Sequence, residues 1–463
     1  VVVCELELEP EAESEYECDE VTVALTAARI TSNINNKSVL DMCAAPGGKT
    51  FQALNYGAKL DIVEINPQRA QILKENLRSS TENQGNNSIS TQKNFRFFDN
   101  RQKYLLFVST CSEKEIISKR VGKEISLLNP SPPAVRVFDA GMGDGTLLAS
   151  VLRNLHQRFP TLPFYISGKE ISLEDVRLCL SKMGDRLFEH PSTVLVFTNL
   201  FYNEAPWLRP KKASAANSLV WKELPLEGNT SHDFSEQLNG LGGFLQKNWK
   251  ARHSERTGNP IYDHPTVLVI YRKDYGFLLN QIIPRKQTAF ADFDLVIASQ
   301  PYRLRVSAEY KVEKVLLPLT QSLGKGGRLI GIHSAGNDPG MEILKKIWPD
   351  DNPFRFKRHD IMDVLKKKLG REKSLYNIKP GSDTRSIFKY EMHSLPCELE
   401  SSIGTSTLFA AWNAAIYVGQ IEDQRLEKVM QTRDYLDVTR EVLRKYGGLW
   451  FFDESFIVSR KND

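Results

Sequence analysis

Paired cysteines are missing from this chain of 463 residues. Its cysteines, Cys4, Cys18, Cys43, Cys111, Cys179 and Cys397, are scattered and none belongs to a C-x-x-C pair. That spacing argues against a structural zinc site or a disulfide framework, so no metal is expected and a reducing, cytoplasmic setting is. Also missing is any apolar run of about 20 residues, the length a membrane helix needs. No solenoid-type repeat is visible. Lys and Arg do not gather into one stripe; they are spread in small groups such as Arg355–Arg358 and Lys366–Lys368. Nucleic acid is therefore compatible with the charge but not demanded by it. Val1 stands where an initiator Met would, so the amino terminus reads as truncated or processed.

What is present is an ordinary globular composition, 41% hydrophobic and 25% charged. The length accommodates roughly two to four domains. Glu5–Glu20 holds nine acids and no base, which leaves +13 on the remainder of a chain whose net charge is +4. Like charges in a block repel and pack poorly, so residues 1–20 read as a solvated acidic tail. The pattern divides the rest into a segment 21–128, a core 129–336 with an insertion at 206–265, and a mixed helical C-terminal extension from 337 to 463.

Along the chain, Val21–Ile30 reads as a short helix, Ser38–Cys43 and Lys59–Ile65 as strands, and Pro67–Ser79 as a helix opened by its proline. Thr81–Lys93 is polar and reads as a loop, and Asn94–Phe98 and Lys103–Ser109 read as strands. After a linker at Asn129–Pro133, strands at Val135–Phe138, Phe164–Glu170 and Thr193–Leu200 alternate with helices at Leu147–Phe159 and Leu173–Leu187. Val267–Tyr271 with Phe277–Ile283 reads as a hairpin. Phe293–Ser299, a helix at Val312–Leu323 and Arg328–His333 follow, then helices at Ile361–Leu369 and Leu408–Tyr417. Such alternation implies an α/β fold with a doubly wound parallel sheet.

The densest chemistry is V-R-V-F-D-A-G-M-G-D-G-T at Val135–Thr146. A strand ends in Asp139, glycines at 141, 143 and 145 allow close approach of a ligand, and a helix N-terminus follows. A dinucleotide loop, G-x-G-x-x-G, would need glycine where Thr146 stands. The pattern D-x-G-x-G-x-G instead resembles motif I of class I S-adenosylmethionine-dependent methyltransferases. That resemblance implies a Rossmann-like methyltransferase sheet and S-adenosylmethionine as cofactor. Its glycines, Gly141, Gly143 and Gly145, would wrap the methionine part, and Asp139 would order the loop and the amino group. Glu170, ending the next strand, can accept both ribose hydroxyls, and Asn199 can bond the adenine edge. A helix N-terminal acid is the plainer reading of Glu170.

Substrate chemistry is expected beyond the fourth core strand. There Ser299–Tyr302, S-Q-P-Y, resembles the [N/D/S]-P-P-[Y/F] motif of amino-group methyltransferases, with Gln300 in place of the first proline. Ser299 and Tyr302 are the candidate catalytic residues, with His333 a further candidate for mutation. In the insertion, Arg209–Lys212, Trp221, Trp249, Lys250, Arg252 and His253 interleave basic and aromatic side chains, a pattern suited to an anionic or planar substrate.

A second glycine loop, V-L-D-M-C-A-A-P-G-G-K-T at Val39–Thr50, resembles motif I of the RNA (cytosine-C5) methyltransferases. The resemblance implies a cofactor pocket of Cys43, Ala44, Pro46, Gly47, Gly48 and Lys49, with Glu64 on the ribose and Asp99 at the adenine. That family attacks cytosine with the cysteine of a T-C-S motif, found here at Thr110–Ser112, which makes Cys111 a candidate nucleophile if its thiolate is accessible. The family's D-A-P-C motif is absent, and 62 positions from Lys49 to Cys111 are too few for its whole sheet. The segment is thus a partial second Rossmann-like unit through which RNA is a candidate partner. The reading is an S-adenosylmethionine-dependent methyltransferase working at residues 135–334 on an unidentified acceptor. RNA cytosine methylation through Cys111 and a noncatalytic S-adenosylmethionine-binding scaffold are its rivals.

Overall fold

The computed structural model describes residues 38–41, 59–62, 101–255, 259–394, 398–399 and 403–462. The chain falls into two units, Val1–Gln92 and Lys93–Asp463. In the first, Ser38–Asp41 and Lys59–Ile62 form a parallel pair. The helices expected at Val21–Ile30 and Pro67–Ser79, the loop at Thr81–Lys93 and the strand at Asn94–Phe98 lie outside the described residues, as do Cys43, Ala44, Pro46, Gly47, Gly48, Lys49, Glu64 and Asp99.

The second unit is built on one large sheet. Its strands in chain order are β1 (Val135–Asp139), β2 (Phe164–Lys169), β3 (Thr193–Thr198), β4 (Val220–Leu226), β5 (Thr266–Arg272), β6 (Phe293–Ser299), β7 (Leu323–Ser334), β8 (Tyr376–Lys379), β9 (Ile387–Glu391) and β10 (Trp450–Arg460). Across the sheet the order is β8-β10-β7-β6-β1-β2-β3-β5-β4, with β9 also pairing β10. The run β7-β6-β1-β2-β3 is parallel. This is a Rossmann-like α/β sheet, with β1 at its centre and buried along its whole length. Alternation along β1 sends Val135 and Val137 into the core on one face and Phe138 into the core on the other. Both faces are therefore covered, as a parallel sheet requires.

The helices used below are α1 (Arg101–Thr110), α2 (Glu113–Ile125), α3 (Thr146–Arg158), α4 (Leu173–Leu180), α5 (Arg358–Leu369), α6 (Thr405–Val418) and α7 (Asp434–Tyr446). Residues of α1, α6 and α7 share a third core with Met341, Leu344 and Phe451.

Several expectations need correction. Lys103–Ser109 is not a strand but lies in α1. Its apolar run Y-L-L-F-V has no strand alternation, and the residues it buries, Tyr104 and Phe107, are three apart, on one helical face. Phe277–Ile283 forms no hairpin; Gly276–Leu279 is a short helix, and β5 pairs antiparallel with β3 instead. The helix expected over Leu173–Leu187 is broken into α4 and Met183–Glu189. The insertion supplies β4 and so extends the sheet. The C-terminal extension is not merely helical, because β8, β9 and β10 complete the other edge of the same sheet. Neither 128/129 nor 336/337 is a boundary between units. Among the described residues no helix is long and apolar enough to cross a membrane.

Candidate functional site

β1, β2 and β6 run in parallel and end near one another, at Asp139, Lys169 and Ser299. In open α/β sheets the ligand crevice lies beyond these carboxyl ends. Ala140 N–H donates to Ile297 O at 2.8 Å, so the glycine loop leaves β1 against β6. Gly143 and Gly145 have φ of 51° and 79°, a region that costs a side chain dearly. A Cβ on Gly145 would lie 2.6 Å from Cys179 Sγ and 2.8 Å from Cys179 Cα, so its absence lets α3 start against α4. A Cβ on Gly143 would lie 2.7 Å from Tyr104 Oη, which places α1 against the loop. A Cβ on Gly141 would meet nothing within 4 Å, so that glycine leaves open space beside the loop.

Four carboxyl groups surround this loop. Asp139 is completely buried; its Oδ1 accepts from Gly141 N–H at 3.3 Å, while Oδ2 has no hydrogen-bond partner among the described residues. Burial pushes its pKa up to about 7. Glu170 accepts from Gly143 N–H (3.1 Å), Ile171 N–H (2.7 Å) and Ser172 N–H (2.9 Å). It thus ties the loop after β1 to the loop after β2 and also serves the start of α4. Three accepted bonds leave one of a carboxylate's roughly four lone-pair positions. Asp175 is pushed up to about 7 by burial and then by the charge of Glu170, and its Oδ1 is also unpartnered. Asp144 behaves oppositely. Burial raises it, yet hydrogen bonds from Thr146 and Lys182 outweigh that and hold it below the usual carboxylate range. Its carboxylate also accepts from Tyr104 Oη at 2.8 Å.

Two lysines that sequence reasoning missed belong here. Lys114, at the start of α2, pairs with Glu113 at 2.9 Å and lies 5.9 Å from the Tyr104 ring. Lys182 pairs with Asp144 at 2.9 Å. The buried acids with open oxygens, Asp139 and Asp175, suit a ligand that brings positive charge; a buried acceptor with no partner is costly otherwise.

At the end of β6, Gln300 has φ 48°. Proline is locked near −65°, so the proline of the resembled motif cannot occupy this backbone. The segment is therefore not a simple variant of S-P-P-Y. Gln300 Nε2 instead donates to Ser334 Oγ (3.2 Å) and Asp453 Oδ1 (3.3 Å), tying the ends of β6 and β7 to β10. Ser299 Oγ is buried and unpartnered. Tyr302 Oη lies 2.8 Å from His333 Nδ1, and His333 Nε2 lies 2.8 Å from Glu454 Oε1. Arg358 donates to Glu454 from Nη1 and from its backbone N–H, each at 2.8 Å.

Burial would raise the Glu454 carboxyl, but His333 and Arg358 bring it down to about 2. An ionised carboxylate only accepts, so His333 carries its proton on Nε2 and accepts the Tyr302 hydroxyl at Nδ1. Burial lowers the pKa of His333, which keeps it neutral. Lys311 is fully buried with its ammonium 5.1 Å from the Tyr302 ring and 5.3 Å from that of Phe356; burial lowers it to about 8. Tyr302 and His333 were legible as isolated candidates. Glu454, Arg358 and Lys311 were not.

Other candidates fall elsewhere. Asn199 is consumed as a clamp, accepting from Thr266 N–H (2.8 Å) and donating to His264 O (2.9 Å). Trp249 is buried, and its Nε1–H donates to Glu170 O at 3.0 Å, so it braces the acid from below and offers no surface for a substrate. Cys111 sits in the third core, and burial pushes its thiol up to about 12. A nucleophilic cysteine needs a lowered pKa and access, so the condition on which Cys111 is a candidate is not met. Iodoacetamide at pH 8 is expected to label Cys111 only after unfolding in urea, as read by peptide mapping; rapid labelling of the folded chain would contradict its placement.

No family model and no curated protein sequence matches the chain. Solved structures similar to it include an S-adenosylmethionine-dependent methyltransferase from Geobacter sulfurreducens in complex with S-adenosyl-L-homocysteine, at 10% identity over 78% of this chain and 98% of that one, TM-score 0.28. A geranyl diphosphate methyltransferase in complex with S-adenosylmethionine matches at 10% identity over 74% and 85%, TM-score 0.28. The [4+2]-cyclase SpnF matches at 10% over 74% and 80%, TM-score 0.30. At these scores the likenesses decide neither activity nor substrate.

Proposed function

We propose that the unit 93–463 is an S-adenosylmethionine-dependent methyltransferase working at the loop after β1. The observation that carries this is the buried Asp139, with one oxygen unpartnered, beneath a glycine loop tied by Gly143 N–H to Glu170. When bound, the cofactor supplies an electrophilic methyl group on a positively charged sulfur. Asp139 and Asp175 then offset the positive charge, Glu170 accepts one ribose hydroxyl at its remaining lone-pair position, and the open side of Gly141 admits the ligand. Ser299 and Tyr302 serve the acceptor side. The Tyr302 hydroxyl gives its proton to the bond with His333, so its oxygen keeps lone pairs for a hydrogen bond from the acceptor. His333 and Glu454 hold it in that orientation. Catalysis here is alignment, with proton removal where the acceptor requires it.

The test is titration of S-adenosylhomocysteine into the full chain. Gly143→Val places a branched side chain at positive φ and against Tyr104, and should weaken binding about tenfold or more. Gly48→Arg should leave it unchanged. Equal affinity for wild type and Gly143→Val would sink the assignment of this loop.

RNA cytosine methylation, the alternative reading, rests on sequence motifs alone and would need an accessible Cys111, which is buried. A covalent adduct with 5-fluorocytosine RNA that vanishes in Cys111→Ala would restore it. A scaffold role would show as cofactor binding with no methyl transfer into a cell lysate.

A further inference from the structure

Beyond the loop and the S-Q-P-Y turn, the same end of the sheet holds a separate cavity of about 100 Å³. It opens directly after β7, where Ala335 follows Ser334, the residue hydrogen-bonded to Gln300. Its apolar wall is Met341 and Phe354; its polar wall is Asn337, Asn352, Lys345 and Lys357. Gly336, at φ 69°, lets the chain close over Phe354, since a Cβ there would lie 2.6 Å from the ring.

Of the side chains lining this cavity, the charged ones are both lysines. Among the described residues neither Lys345 nor Lys357 forms an ion pair, and Lys357 Nζ donates to Ala335 O. The acids nearby are engaged. Asp338 accepts from Met341 N–H (2.8 Å) and Phe452 N–H (3.0 Å); burial pushes it up to about 6, while the charge of Lys357, which it does not touch, draws it down. Glu342 is paired with Lys445, and Asp351 with Arg305 and Arg425. Two ammonium groups with no carboxylate in direct contact, beside an aromatic and a thioether side chain, form a receptor for an anion carried on an apolar body. A cavity this small holds one end of a ligand and not a whole one.

We infer that this cavity binds the anionic end, a carboxylate or a phosphate ester, of the methyl acceptor. That it serves the acceptor rests on the methyl-transfer reading above; that it binds an anion does not. The position supports the link, because β1, β6 and β7 are adjacent and parallel, so cofactor loop, Ser299 and cavity follow one another along one edge.

The experiment titrates benzoate, phenyl phosphate and neutral benzamide into the full chain, alone and with saturating S-adenosylhomocysteine. The expected result is binding of an anionic probe and not of benzamide, undisturbed by S-adenosylhomocysteine. The tighter of benzoate and phenyl phosphate names the anion. Lys345→Gln and Lys357→Gln should each weaken that probe by about tenfold while S-adenosylhomocysteine binds as in wild type, which shows the variants fold. Benzamide binding as well as benzoate, unchanged affinity in both variants, or displacement of the probe by S-adenosylhomocysteine would each overturn the inference. Anion binding by a wild-type chain to which S-adenosylhomocysteine itself does not bind would overturn its acceptor half and the methyl-transfer reading, and leave an anion site.

Discussion

Asp139→Asn is expected to make the folded chain more stable at pH 8 and to remove cofactor binding in the same protein. The carboxyl is completely buried, and its pKa rises from 3.8 to about 7 because burial disfavours the charge. A raised acid stabilises the fold while protonated; that contribution is complete below the unfolded value and is lost as pH rises through about 7. Above that point wild type carries an ionised group at a cost of at most about 4 kcal/mol. Asparagine cannot ionise, and its Oδ1 can still accept from Gly141. Urea unfolding should therefore show the variant more stable by up to about 4 kcal/mol at pH 8, the gain shrinking to about 1–2 kcal/mol at pH 5. A variant less stable than wild type at both pH values would mean that Asp139 is a satisfied structural acid. The stability given up at neutral pH is the expected signature of a group kept charged for a ligand.

The second large effect is expected at Arg358. Its side chain and Glu454 are almost fully buried, and Glu454 is held at about 2 by His333 and Arg358 against the effect of burial. A lowered acid contributes stability above its unfolded value, 4.5, and loses it as pH falls through about 2. Arg358→Met strands that charge with His333 as its remaining side-chain partner. Breaking a buried pair from one side costs about 3–5 kcal/mol. Thermal and urea unfolding at pH 7 should show a loss of that size, and the acid limb of the stability curve should move to higher pH. The double variant Arg358→Met/Glu454→Gln should recover part of the loss, because no uncompensated charge remains. A loss below about 1 kcal/mol in the single variant would place the pair among weakly contributing surface contacts.

The centre of the site was legible because its signals are local. A buried strand ending in Asp139, glycines at 141, 143 and 145, and an acid ending the next strand are all read within about one βαβ unit. Tyr104–Val108 was misread because an unbroken apolar run lacks a period, and only packing shows that Tyr104 and Phe107 alone are buried in it. Phe277 reads as the start of a hairpin strand and is 98% exposed, on a helix too short to be signalled. Trp450–Arg460 pairs antiparallel with β7 through contacts more than a hundred residues apart. The same distance hid Glu454 from His333. Pairings of that kind leave no spacing rule to find. Gln300 shows the reverse case: the missing proline was visible, but its cause, a left-handed backbone, was not.

The central claim is that an ionised Asp139 receives the positively charged part of the cofactor. Calorimetric titration of S-adenosylmethionine into the full chain at pH 8 and pH 6 tests it most directly. With a pKa of about 7, Asp139 passes from mostly ionised to mostly protonated across that interval. The dissociation constant should therefore rise at least about tenfold from pH 8 to pH 6 in wild type, and Asp139→Asn should show no binding at either pH. Equal affinity at both pH values in wild type, or no binding at either, would contradict the account.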